Sequence, residues 1–170
     1  MKIVNNIIIQ NIKEHKQIKE ELLKRILEVS AGPYKTVSRT DWETGTSNPK
    51  SYFTDILVPI IEKYYKNIKE YYYQEFKDEV KLTIDNYWFQ TYFKNSAHVW
   101  HTHGRANLAN VYYVDLPDAS FGTKFYGVKD LPIKEGDLVT FPAFMLHSSP
   151  INLNERAKTV VSFNTNMEID

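Results

Sequence analysis

The stretch Glu135-Gly136-Asp137-Leu138-Val139-Thr140-Phe141-Pro142-Ala143-Phe144-Met145-Leu146-His147-Ser148-Ser149-Pro150 decides how this chain is read. A glycine turn feeds a short strand, Pro142 breaks it, and a second short strand ends in a histidine. Proline cannot donate to a sheet ladder, so the segment reads as two strands rather than one. Working outward, the same period-2 pattern recurs through the second half, predicting strands at 85–93, 97–103, 108–116, 123–126, 138–141, 143–149 and 159–164. Turn chemistry separates them: Lys94-Asn95-Ser96, Gly104, Pro117-Asp118, Gly127, Glu135-Gly136-Asp137 and Asn152-Leu153-Asn154. Many short strands without crossover helices indicate an antiparallel sandwich or barrel.

Before Lys81 the period is 3.6. Residues 3–9 form a short β-type run, and Asn11 stands where a helix N-cap would, with Glu14 three residues on. Ile18, Leu22, Ile26 and Val29 then follow at helical spacing until Gly32-Pro33 stops the helix. Residues 33–50 read as a loop, with Gly45, Ser47, Asn48 and Pro49 as its turn residues. A second helix is predicted from Thr54 or Asp55 to about Phe76, with Pro59 in its first turn and Leu57, Ile61, Tyr64, Ile68 and Tyr72 as its buried stripe. The expectation is one domain, 1–170, with a helical part (1–80) packed on a β core (81–170).

Composition narrows the function. Lys plus Arg total 21 and Asp plus Glu total 21, and this neutral balance argues against wrapping a nucleic-acid duplex. With no cysteine, thiolate zinc sites, iron–sulfur clusters, disulfides and cysteine nucleophiles are excluded together. No apolar run approaches the ~20 residues of a membrane span, and the first residues do not read as a signal peptide, so the expected location is the cytoplasm. Neither a phosphate-binding glycine loop nor a Gly-x-Ser-x-Gly elbow is present.

Histidines carry the remaining chemistry. His15 falls on the polar side of the first helix and is expected at the surface. His98, His101 and His103 crowd into six residues. On a strand, His101 and His103 share a face and can offer two imidazoles to one ion, whereas His98 has the opposite parity and should face away. In a jelly roll, His147 can sit across the barrel mouth from such a pair, completing a facial set with open positions.

These residues resemble a known family. His101-x-His103, Val111-Tyr112-Tyr113-Val114, the glycine–Phe-Pro–His147-Ser-Ser-Pro segment and Lys158-Thr-Val-Val-Ser-Phe-Asn164 look like the small 2-oxoglutarate/Fe(II)-dependent oxygenases of prolyl-hydroxylase type. Some similar oxygenases of about this length are encoded by bacteriophages, in which case the cytoplasm would be the host's. The resemblance covers about residues 85–165. It implies a double-stranded β-helix (jelly roll, cupin-like) packed against two helices, a mononuclear Fe(II), and O2-dependent decarboxylation of 2-oxoglutarate coupled to hydroxylation.

Carried over residue by residue, His101 matches the first metal ligand of the family and His147 the distal one. His103 stands where the family has a carboxylate. Asp115, Glu135 and Asp137 lie where no family ligand is found, so the expected set is three histidines. The resemblance places a basic anchor for the co-substrate at Lys158, with Arg156 as the alternative, since a guanidinium grips a carboxylate in bidentate fashion. Asn164 shares the parity of Lys158 and can line the same cavity. Tyr112 and Asn110 share a face on their strand and are further candidates to hold the co-substrate. Trp88, Gln90 and Tyr92 alternate onto one face and are candidates for a substrate wall, with core packing as the other reading. The substrate is expected to be a small molecule or a peptide. Two other readings stay open: a three-histidine cupin-type dioxygenase that needs no 2-oxoglutarate, and a non-catalytic jelly-roll binding or structural protein.

Overall fold

A computed structural model of the chain describes residues 1–42 and 50–169; the expected turn residues Gly45, Ser47, Asn48 and Pro49 lie outside the described residues. Eight antiparallel strands form a major sheet. In spatial order they are β1 (Lys2–Val4), β2 (Ile7–Asn11), β9 (Asp137–Pro142), β7 (Leu108–Asp115), β11 (Lys158–Ile169), β5 (Val80–Tyr92), β4 (Val37–Thr40) and β3 (Gly32–Tyr34). A minor sheet of β6 (His98–His101), β10 (His147–Ser149) and β8 (Lys124–Phe125) completes the strands. The expectation of a mainly β chain with two helices holds.

The major sheet is apolar on both faces, because each face has its own cover. On one side lie α1 (His15–Glu28) and α2 (Val58–Phe76), the latter entered through a π-helical turn at Tyr52–Leu57. Leu22, Ile26, Ile60, Ile61 and Ile68 from the helices pack on Phe89, Tyr112, Leu138 and Phe163 from the sheet. A second cluster, including Val111, Tyr113, Phe125, Val139, Phe141 and Val160, fills the jelly-roll interior. Fully burying one such aliphatic side chain contributes roughly 1.5–3 kcal/mol, so both cores bear on stability. Register fixes which residues face inward: Lys158 pairs with Tyr92, Val160 with Gln90 and Tyr113, and Ser162 with Trp88 and Val111. Directly paired residues share a face, so these side chains all turn to the helix-free side. Among the described residues, no helix is long and apolar enough to cross a membrane.

The structure corrects several sequence expectations. Residues 3–9 are a hairpin rather than one run, because Asn5 and Asn6 both take positive φ (50° and 64°), the turn that matches strand twist. Asn11 ends β2 and donates to Asp137 Oδ1 at 2.9 Å instead of capping α1, which begins four residues later. Part of the expected loop 33–50 is the β3–β4 hairpin, which extends the sheet beyond β5. The expected strand 143–149 shrinks to β10, since Met145 N–H bonds back to Pro142 O in a turn. In α2, Ile60 and Tyr65 join the buried stripe, while Tyr64 and Tyr72 are only half-buried. His15 is buried, not exposed: its ring lies 2.7 Å from the Tyr112 hydroxyl and 3.1 Å from Glu135 Oε1.

Candidate metal centre

Three histidines converge at the mouth of the jelly roll. His147 opens β10 and pairs directly across the ladder with His101 at the end of β6. His103 lies two residues past β6, its N–H held by Ala143 O at 2.9 Å. One nitrogen from each of His101, His103 and His147 lies within 4.8 Å of the others. Among the described residues this is the group able to hold an ion, and no carboxylate belongs to it. Asp115 instead pairs with Lys19 and Arg156, Glu135 with Lys19 and His15, and Asp137 accepts from Asn11 and Lys134.

The protonation state of each ring is set by its neighbours. His101 Nδ1 lies 2.7 Å from Val99 O, His147 Nδ1 2.8 Å from Met145 O, and His103 Nδ1 2.7 Å from Asn164 Oδ1. Carbonyl oxygens only accept, so every Nδ1 carries the proton and every Nε2 keeps a free lone pair. Burial also holds the rings below the usual imidazole range, His103 at about 4, His147 at about 3, and His101 in the same direction. At neutral pH the set is three uncharged nitrogen donors with oriented second partners, which is the donor chemistry of a divalent metal site. The residues present fit such an ion.

Beside the histidines lies an inner chamber of about 30 Å³, walled by Trp88, Gln90, Tyr92, Ser149 and Lys158. Lys158 is 1% exposed; its Nζ donates to Phe121 O at 2.9 Å and to Ser149 Oγ, and lies 4.3 Å from the centre of the Tyr92 ring. Among the described residues no carboxylate pairs with it, and burial pulls its pKa down to about 7. Trp88 stacks on His103 with ring centroids 5.7 Å apart. Outside the histidines the chamber meets a groove of about 460 Å³, which shares Trp88, Gln90, His98, His101 and His103 with it.

Three sequence-stated candidates lie elsewhere. Arg156 is on the surface and donates to Asp115 Oδ1 at 2.9 Å, because it sits in the turn before β11, where strand parity does not apply. Tyr112 and Asn110 face the helices: Tyr112 meets His15, and Asn110 bonds Phe163 O, Thr165 and Thr140. On β7 it is Val111, of the opposite parity, that lines the chamber. Asn164 reaches the site through His103. His98 also corrects the expectation. A bulge lets three residue steps on β6 span two on β10, from His147–His101 to Ser149–His98, which turns His98 onto the face of His101. Their rings stack 4.0 Å apart, and His98 Nδ1 lies 3.2 Å from Gln90 Nε2. Ser149 was missed, although its place in the segment after His147 was visible.

No protein-family model matches the chain, and no curated protein matches it in sequence. Solved structures do. The viral collagen prolyl hydroxylase of Paramecium Bursaria Chlorella virus-1, solved as a 2-oxoglutarate complex, superposes with a TM-score of 0.61 over 95% of both chains at 12% identity. A Pseudomonas putida prolyl-4-hydroxylase gives 0.61 at 14% identity over 94% of this chain and 92% of its own. A Trichoplax adhaerens prolyl hydroxylase, solved with a peptide fragment of the hypoxia inducible factor oxygen degradation domain, gives 0.64 at 12% identity over 95% and 84%. All three neighbours are prolyl hydroxylases, and the fold this chain shares with them is the double-stranded β-helix.

Proposed function

We propose that the chain is an Fe(II)- and 2-oxoglutarate-dependent oxygenase acting as a hydroxylase on a small molecule or a peptide. The observation that carries this reading is the juxtaposition of three neutral, pre-oriented imidazoles with a buried lysine, paired with no acid among the described residues, inside a double-stranded β-helix. His101, His103 and His147 would hold the iron through Nε2. An iron ion bound there supplies O2 activation, coupling decarboxylation of 2-oxoglutarate to hydroxylation of a substrate.

The chain's own residues prepare that chemistry. Lys158 would take the remote carboxylate of the diacid, exchanging Phe121 O for a charged partner, while the Ser149 hydroxyl remains at hand as a second donor. The chamber as it stands is small, about 30 Å³, so entry of the diacid requires the side chains that line it to give way. Burial makes this worthwhile, because a lysine without an anion gains a strong partner in a medium of low dielectric. Arg156 is already paired with Asp115, which favours Lys158 as the anchor. Trp88, Gln90 and Tyr92 would wall the chamber against bulk water, and Asn164 would hold His103 in its ligating tautomer.

His103 is where this site departs from the family pattern. Three neutral imidazoles leave a divalent ion its full charge, where one carboxylate would leave a single net charge, so attraction for an anionic co-substrate is stronger. The same departure favours a second reading, a three-histidine dioxygenase without 2-oxoglutarate. The two differ at Lys158: Lys158→Ala abolishes turnover in the first and leaves it intact in the second.

The test is O2-dependent formation of succinate from 2-oxoglutarate. It is expected to require Fe(II) and to vanish in His147→Ala. Stoichiometric iron binding by a protein that neither binds nor decarboxylates 2-oxoglutarate would overturn the reading.

A further inference from the structure

The outer groove opens from the chamber that would hold 2-oxoglutarate, sharing the histidine edge with it, but the rest of its lining has a distinct chemistry. Two basic residues, Lys35 and Arg105, border it. Both are exposed, and both sit at positive φ (52° and 63°), a left-handed backbone that favours glycine or asparagine over long side chains. Neither side chain forms an ion pair or a hydrogen bond among the described residues; Lys35 Nζ lies only against the Tyr34 ring, at 5.2 Å. Among the described residues, one acid, Asp85, lines the groove against these two cations. Lys35 lines the same groove as His98 and His101.

The groove also offers flat apolar surface. Trp42 is 41% exposed at its edge and meets Trp88 edge-on, with ring centroids 4.4 Å apart. Trp88 in turn stacks on His103. An aromatic path therefore leads from the groove to a proposed iron ligand. Asn86 lines the same groove, and its Oδ1 is the buried side-chain polar atom left without a hydrogen-bond partner among the described residues. An unsatisfied acceptor of this kind is costly and calls for a donor.

We propose that this groove is the substrate site and that it takes a small anionic planar heterocycle. The phosphate or carboxylate lies between Lys35 and Arg105, the ring lies against Trp42, and a ring or exocyclic N–H reaches Asn86 after a rotation of the amide. The groove volume of about 460 Å³ falls within the range of small-ligand sites. The neutral overall charge and the short extent of the basic pair disfavour a nucleic-acid polymer. This assignment rests on the oxygenase reading for its chemistry, but not for its binding.

The test uses the full chain carrying Trp100→Phe, because Trp100 packs on Tyr126 and does not line the groove. The fluorescence of the remaining tryptophans, Trp42 and Trp88, is followed during titration. One arm uses 5′-nucleoside monophosphates and the other nicotinate; the controls are the uncharged nucleosides and nicotinamide. Saturable quenching is expected in at least one arm, and the arm that saturates identifies the anion. Binding should weaken by about tenfold or more in Lys35→Glu/Arg105→Glu, while 2-oxoglutarate affinity of the Fe(II)-loaded protein stays within about twofold. Four results would each overturn the proposal: no saturation in either arm, uncharged controls binding equally well, charge reversal without effect, or an acidic peptide binding where both arms fail. Loss of 2-oxoglutarate affinity in the charge-reversal variant would also overturn it, by assigning the two cations to the co-substrate. If 2-oxoglutarate never binds but the anions still quench, the groove assignment stands and the oxygenase reading falls.

Discussion

Asn164 shows how much of the site depends on a residue that would touch no metal. Its Oδ1 accepts from His103 Nδ1 at 2.7 Å, and His101 and His147 obtain the same service from backbone carbonyls two residues upstream. Only the His103 lock can be removed by a side-chain substitution. Asn164→Leu is expected to weaken metal binding by about 10- to 100-fold, whereas Asn164→Asp, which keeps an acceptor, should lose far less. Competition with a chelating dye measures both, and an unaltered affinity in the leucine variant would remove Asn164 from the account. At this scale the sequence was informative about position: spacing and resemblance singled out His101, His103 and His147, which converge, and the resemblance singled out Lys158, which lines the chamber beside them. It misled where a position depends on a bulge or a turn: strand parity placed His98 outside and Arg156 stood as the alternative anchor, yet His98 stacks on His101 and Arg156 lies on the surface against Asp115.

Between elements, the N-terminal half supplies more than two helices. The β3–β4 hairpin extends the sheet, and Arg39 on β4 ties it to α1 by donating to the carbonyls of Ile26, Leu27 and Val29 at 3.0, 3.2 and 2.6 Å. Those oxygens belong to a helix C-terminus, where carbonyls outnumber the N–H groups that could bond them (Ile26 O also accepts from Val29 N–H) and carry partial negative charge. Arg39→Ala is expected to destabilise the protein by about 1.5–3 kcal/mol, read as a lowered denaturant midpoint with an unchanged slope. A substitution without effect would mean that water caps α1 equally well. The hairpin was not legible in advance because Gly32, Pro33 and the short run 37–40 carry turn signals and too little alternation to mark a strand. The long β half was legible because its alternation persists over many strands and its glycines and prolines fall between them.

For the molecule as a whole, Lys158 sets function against stability. Folded, it is held at about 7; unfolded, it returns to the ordinary lysine value of 10.5. Between those pH values the unfolded chain binds more protons, so the contribution of this group to stability rises as pH increases from about 7 to 10.5 and is least favourable below 7. Lys158→Met removes the buried ammonium. The variant is expected to be at least as stable as the parent at pH 7, with a flatter stability profile up to pH 10.5, and to lose 2-oxoglutarate binding. Thermal unfolding across that pH range reads the first effect; a steep profile that persists in the variant would show that Lys158 is not its source.

The central claim is that the three imidazoles and Lys158 form one site for iron and a 2-oxo diacid. Anaerobic titration of the protein with Fe(II) and then 2-oxoglutarate tests both partners in a single cuvette. The account predicts a visible metal-to-ligand charge-transfer band that saturates at one equivalent of each, is absent in His147→Ala, and requires far more 2-oxoglutarate in Lys158→Met. Iron that binds without producing the band at any 2-oxoglutarate concentration would contradict it.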